Sequence, residues 1–176
     1  MIFVIKIGLT GWGDHPSLYE NMISSKLESY ASHFPVVEVD TAFYAIQSLK
    51  NYEKWVRETP EQFQFVIKAY QALTGHDRKT LTIKQYKEML KAYADSIIPV
   101  LEAKKLHSIL FQFPPWFHIS KENIQRLRFI KEQLQHLPLA LEFRNRTWFL
   151  PEYKDRTIQF MKEEQWIHSI CDEPQA

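Results

Sequence analysis

The sequence predicts an α/β protein in which parallel strands alternate with helices and curve into a (β/α) barrel. Three observations carry this expectation: six short apolar segments recur along the chain, helical periodicity fills the intervals, and each segment turns polar only at its exit, on one face. Alternate positions on that face read Lys6, Gly8, Thr10; Val36, Glu38, Asp40; Gln64, Val66, Lys68; Ser108, Leu110, Gln112; Ala140, Glu142, Arg144; and His168, Ile170, Asp172. The opposite parity is greasy: Ile5, Ile7, Leu9; Val37, Val39; Phe65, Ile67; Ile109, Phe111, Phe113; Leu139, Leu141, Phe143; and Ile167, Ser169, Cys171. Successive strand side chains face opposite sides, so the greasy parity is expected under helices and the other parity inside the barrel.

The intervals justify the helices in turn. The stretch 17–34 carries Leu18, Met22, Leu27, Tyr30 and Phe34 among polar residues, and a shorter helix is expected over 49–59. The longest, 82–106, spaces Ile83, Tyr86, Leu90, Tyr93, Ile97 and Leu101 by three or four, which predicts one buried helical face. Ser120 can cap the next helix, with its line of Ile124, Leu127, Ile130, Leu134 and Leu137; the last runs from 152 to about 165. Units of roughly 30 residues argue for right-handed crossovers between parallel strands.

Composition narrows the class. A chain of 176 residues, 45% apolar and 14% aromatic, can bury a real core and is expected to form a single domain over 1–176. The net charge is +1 and the basic residues are scattered, so no stripe points to nucleic acid. One cysteine, Cys171, excludes an intrachain disulfide and suits a reducing cytoplasm; by parity it is expected to pack as a small core residue. The apolar start, 1–9, is interrupted by Lys6 and too short to span a bilayer, so it reads as a strand and neither as a membrane segment nor as a signal.

Six motifs, in order, carry a resemblance: Gly8-Leu9-Thr10-Gly11-Trp12, Val37 to Tyr44, Phe65 to Ala69, Leu110 to Phe117, Leu141 to Trp148, and Cys171 to Gln175. Together they resemble the YecE-like family, domain of unknown function 72. The resemblance implies a TIM-type barrel of eight strands, of which six are legible here, and it implies no particular reaction. Members of the family continue with a strand bearing Arg-x-His-Gly and a later one bearing asparagines. On that ground the chain is expected to hold the N-terminal three-quarters of the barrel, with open edges near Ile5 and Ile170 that favour self-association.

In such barrels the strand exits converge on one mouth. Glu38, Asp40, Lys68, Glu142 and Asp172 are the expected catalytic groups, able to supply a general acid and base; Lys68, if desolvated, is also a Schiff-base nucleophile. Gln112 and Arg144, with the loop aromatics Trp12, Tyr44 and Trp148, are the expected substrate-binding set. The competing reading for the charged groups is an internal plug, and for the aromatics, including Trp116, loop packing. Four carboxylates face two cations, which calls for a raised pKa, further positive groups or a bound cation. No cofactor is named by the sequence. A divalent metal on Glu38, Glu142 and Asp172, as in phosphoesterase-like or nuclease-like barrels, is one alternative, although only His15, His76 and His118 lie in loops within reach. A non-catalytic binding or remnant module is the other. The leading expectation is acid–base chemistry on a small polar, anionic or sugar-like ligand.

Overall fold

Alternation closes into one sheet in the computed structural model, which describes residues 5–20, 25–77 and 79–171. The chain runs through β1 (Gly8–Thr10), a 3-10 turn at Pro16–Leu18, α1 (Lys26–Ala31), β2 (Val36–Val39), α2 (Thr41–Tyr44), α3 (Leu49–Arg57), β3 (Gln64–Lys68) and α4 (Gln71–Thr74). It continues through α5 (Ile83–Ser96), α6 (Ile98–Glu102), β4 (Leu106–Phe113), α7 (Lys121–Gln133), β5 (Leu139–Phe143), a 3-10 turn at Arg146–Phe149, α8 (Lys154–Glu163) and β6 (Ile167–His168). The six strands pair in sequence order, all parallel. Because every strand returns through a helical crossover, the sheet is covered on one side by a helix layer.

Parity decides which side. Val37, Val39, Phe65, Ile67, Ile109, Phe111, Phe113 and Leu141 are buried in one cluster with Tyr30, Leu90, Tyr93, Leu127, Ile130 and Met161 from the helices. The greasy parity of β2 to β5 therefore faces the helices, and Glu38, Gln64, Val66, Lys68 and Gln112 lie half-buried on the other side. Gly8 has a steric reason: a Cβ there would sit 2.2 Å from the Val36 carbonyl oxygen. Tyr30 stitches the same pair of strands to α1, its hydroxyl donating to Val36 O at 2.9 Å and accepting from Leu9 N at 2.7 Å.

Helix starts follow local chemistry. Ser25 and Thr82 form capping boxes, and Ser48 and Ser120 accept from the third residue onward. Lys105 closes the far end of α3: its buried ammonium donates to Val56 O, Thr59 O and Thr59 Oγ1 at 2.8, 2.7 and 3.0 Å.

Several expectations are corrected. The long helical stretch divides at Ile97 ahead of Pro99, which cannot donate to a continuing helix, and ends at Glu102. Ile83, the first residue of α5, is 78% exposed rather than part of the buried face. Ile5 and Ile7 are exposed rather than packed, since β1 pairs only over Gly8–Thr10 at the sheet margin. In β6 the expected parity is reversed. Ile167 pairs beside Ala140 and His168 beside Leu141, so His168 takes the helix side, where it stacks with Phe149 at 5.8 Å. Apolar residues on both parities of 167–171 leave alternation without a preferred face, and a slip of one residue exchanges the faces. Cys171 is exposed, not core.

Candidate functional site

Four consecutive strands deliver polar groups to one end of the sheet, charged from β2, β3 and β5 and an amide, Gln112, from β4. Glu38 precedes the end of β2 by one residue, and Asp40 follows it as the N-cap of α2; Lys68 is the last residue of β3. The Lys68 ammonium lies 2.9 Å from Asp40 Oδ1 and 3.4 Å from Glu38 Oε1. Its backbone is fixed from the helix side, where the buried Tyr93 hydroxyl donates to Lys68 O at 3.0 Å. From β5, Glu142 is almost fully buried and its Oε1 accepts from Gln112 Nε2 at 2.8 Å and Arg144 Nε at 2.6 Å. Ser169, just beyond β6, donates to Glu142 Oε2 at 3.3 Å.

A histidine joins these two clusters. After α4, Gly75 adopts φ +83°, a left-handed conformation that suits glycine, and both Gly75 N and His76 N return to Gln71 O. This turn brings His76 back over the mouth, edge-on to Phe43 at 4.9 Å, with Nδ1 2.8 Å from Thr74 Oγ1. Burial lowers the pKa of His76, and the charges of Lys68 and Arg144 lower it further. Both clusters thus act on one ring.

The carboxyl side is tuned in the opposite sense. Burial raises the pKa of Glu38; Lys68 opposes this, while Asp40 adds to it. Burial works against the Lys68 ammonium, but its hydrogen bond to Asp40 and the charges of both carboxylates outweigh burial and hold its pKa above the ordinary lysine value. Three carboxylates and two cations leave the mouth neutral when Glu38 is protonated and singly negative when it is not, among the described residues.

The sequence-predicted residues divide clearly. Glu38, Asp40, Lys68, Gln112, Glu142 and Arg144 occupy the mouth, while Asp172 lies outside the described residues. Tyr44 is 70% exposed at the rim, edge-on to Phe43, whose ring has Lys68 Nζ 5.9 Å from its centroid. Trp12 is half-buried and packs edge-on against Trp55 at 5.1 Å. Trp148 is corrected from ligand-binding to packing: it is 1% exposed, stacks on Phe143 at 4.0 Å on the helix side, and donates its indole N–H to Phe117 O. His76 and Ser169 are additions. The only sequence signal for His76 was a loop position after strand three; Ser169 was hidden by the slipped parity of β6. Among the described residues no three His, Cys, Asp or Glu side chains form a metal-holding group.

Comparison with known proteins agrees with the motif order. A family model described as "Protein of unknown function DUF72" matches residues 6–176. The chain belongs to this family. UPF0759 protein YunF of Bacillus subtilis (strain 168) is 55% identical over 174 residues, which are 98% of this chain and 62% of that protein. The crystal structure of a DUF72 family protein from Enterococcus faecalis V583 matches with a TM-score of 0.87 and 38% identity, over 98% of this chain and 62% of that one. A DUF72 family protein from Thermotoga maritima MSB8 matches in fold, with a TM-score of 0.77 and 24% identity over 97% of this chain and 66% of that one. The chain therefore spans less than two thirds of the B. subtilis relative. The barrel-type α/β fold and the DUF72 membership stand. No helix among the described residues is long and apolar enough to cross a membrane.

Proposed function

We propose that the mouth binds a small, uncharged, hydroxyl-rich ligand and moves a proton on it, with Glu38 as the acid and His76 as the base. The observation that carries this reading is the opposed tuning of the two groups: burial raises Glu38 and lowers His76, so each is biased toward its neutral form in one cluster. A protonated carboxyl can donate where a neutral imidazole accepts. Charge balance favours an uncharged ligand over an anionic one. Lys68 is engaged by Asp40 and Glu38, and Arg144 by Glu142, so the described mouth has no surplus positive charge for an anion. Gln112, Ser169 and Arg144 around Glu142 supply directional hydrogen bonding of the kind that orients hydroxyl groups. Tyr44, exposed at the rim, is positioned to cover a ring.

The test is a binding titration of the chain with methyl glucoside and, separately, with the anionic glucuronate, followed by backbone amide shifts. The expected result is saturable shifts at Lys68, His76 and Glu142 with the glucoside, weaker shifts with glucuronate, and loss of both in Lys68→Ala at unchanged melting temperature. Tighter binding of glucuronate would overturn the uncharged-ligand reading. Absence of shifts at the mouth with either probe would overturn the sugar-like class.

A further inference from the structure

Thr74 is a buried polar residue beside the mouth, the last of α4 and 1% exposed. Its hydroxyl donates to Gln71 O at 3.1 Å and lies 2.8 Å from His76 Nδ1. The left-handed Gly75 makes this second contact possible: it turns the chain back so that His76 N also reaches Gln71 O, at 3.1 Å. Phe43 packs edge-on against the imidazole at 4.9 Å, so the ring is held by a hydrogen bond at one nitrogen and by ring packing.

Proton counting then selects a tautomer. A hydroxyl has one hydrogen to give, and a carbonyl can only accept. With that hydrogen on Gln71 O, Thr74 meets Nδ1 with a lone pair, and Nδ1 must carry the ring proton. With the ring proton on Nε2 instead, Thr74 would have to turn its hydrogen to Nδ1 and leave Gln71 O. The first arrangement keeps two hydrogen bonds, the second only one. The bond made by one ring nitrogen thus decides the state of the other. Nδ1 is turned toward α4, so Nε2, across the ring, is the nitrogen left for a ligand in the mouth.

We propose that Thr74 is a positioning residue: it fixes His76 as the Nδ1–H tautomer and makes Nε2 the atom that takes a proton from the ligand. The role of Nε2 rests on the reading of His76 as the base; the tautomer does not. In the transfer a ligand O–H bond breaks, its electron pair stays on oxygen, and a new N–H bond forms at Nε2. The Nδ1–H bond to Thr74 survives the step. The test is a long-range proton–nitrogen correlation of the His76 ring in nitrogen-labelled chain, at a pH well above the ordinary histidine value of about 6.5, where the ring is neutral. A pyrrole-type Nδ1 and a pyridine-type Nε2 are expected. Thr74→Val, which keeps the shape and removes the hydroxyl, should lower the ratio of Nδ1–H to Nε2–H about fivefold, the equivalent of one ordinary hydrogen bond, and Thr74→Ser should restore it. A packing role alone would leave that ratio the same in all three proteins. Saturating methyl glucoside should then move the Nε2 resonance far more than Nδ1. A pyridine-type Nδ1 in the wild type, or a ratio unchanged in Thr74→Val, overturns the tautomer assignment. A pyrrole-type Nδ1 with Nε2 unmoved by glucoside that saturates the Glu142 amide overturns Nε2 as the acceptor, and His76 as the base with it, while the tautomer stands.

Discussion

Glu38 carries a sign that solution measurements can read. Its folded-state pKa is raised by burial, so its contribution to stability is full below the unfolded-state carboxylate value and is lost as pH rises through the raised folded value. Glu38→Gln keeps the shape and removes the ionisation. The urea midpoint of the variant should therefore gain on wild type as pH rises above the ordinary glutamate value of about 4.3. A difference that is flat or falls with pH contradicts the assignment. Glu38, Lys68, Gln112 and Glu142 were legible because strand period is two and their strands have one clean apolar face. His76 was not, because its arrival depends on a left-handed glycine and on tertiary contacts with Phe43 and Trp116 that no local pattern encodes.

At the scale of elements, two buried tyrosines make a contrast. Tyr93 on α5 donates to Lys68 O at 3.0 Å, whereas the Tyr52 hydroxyl on α3 finds no hydrogen-bond partner among the described residues. Tyr93→Phe should cost about 1 kcal/mol and loosen Lys68; Tyr52→Phe should be neutral or stabilising. Chemical denaturation of both variants checks this, and equal losses would contradict it. Lys105→Met should cost about 2 kcal/mol, because it strips a buried donor from Val56 O and Thr59 O at the end of α3. A loss below a few tenths of a kcal/mol in the same assay would show that water replaces the ammonium. The helix caps were visible in sequence as Thr82 with Gln85 and Ser120 ahead of an apolar line. The break at Ile97 was masked, since apolar spacing continues across it even though Pro99 ends the hydrogen-bond ladder.

For the whole molecule, strand order and helix layer were readable because each unit repeats the same pattern. At the margins the open edges near Ile5 and Ile170 were expected, but the short pairing of β1 and the facing of β6 were not. Ile5 is 88% exposed and Ile170 80% exposed, and among the described residues β1 and β6 each have one strand neighbour. Unpaired strand margins of this kind template association. The 176-residue chain should show a mass that rises with concentration in light scattering, and the double variant Ile7→Lys, Ile170→Lys should move it toward the monomer. A wild-type chain that stays monomeric across the concentration range would contradict this.

The central claim is that the strand exits form one electrically coupled site, and His76 reports on it directly. Burial lowers its pKa first, and Lys68 and Arg144 lower it further. Following the His76 ring resonances across pH in wild type and Lys68→Ala is the most direct measurement. The predicted result is a wild-type midpoint below the free-histidine value of about 6.5, moving upward in Lys68→Ala without reaching it, since burial remains. A wild-type midpoint at or above that value, or one that Lys68→Ala leaves in place, would contradict the account.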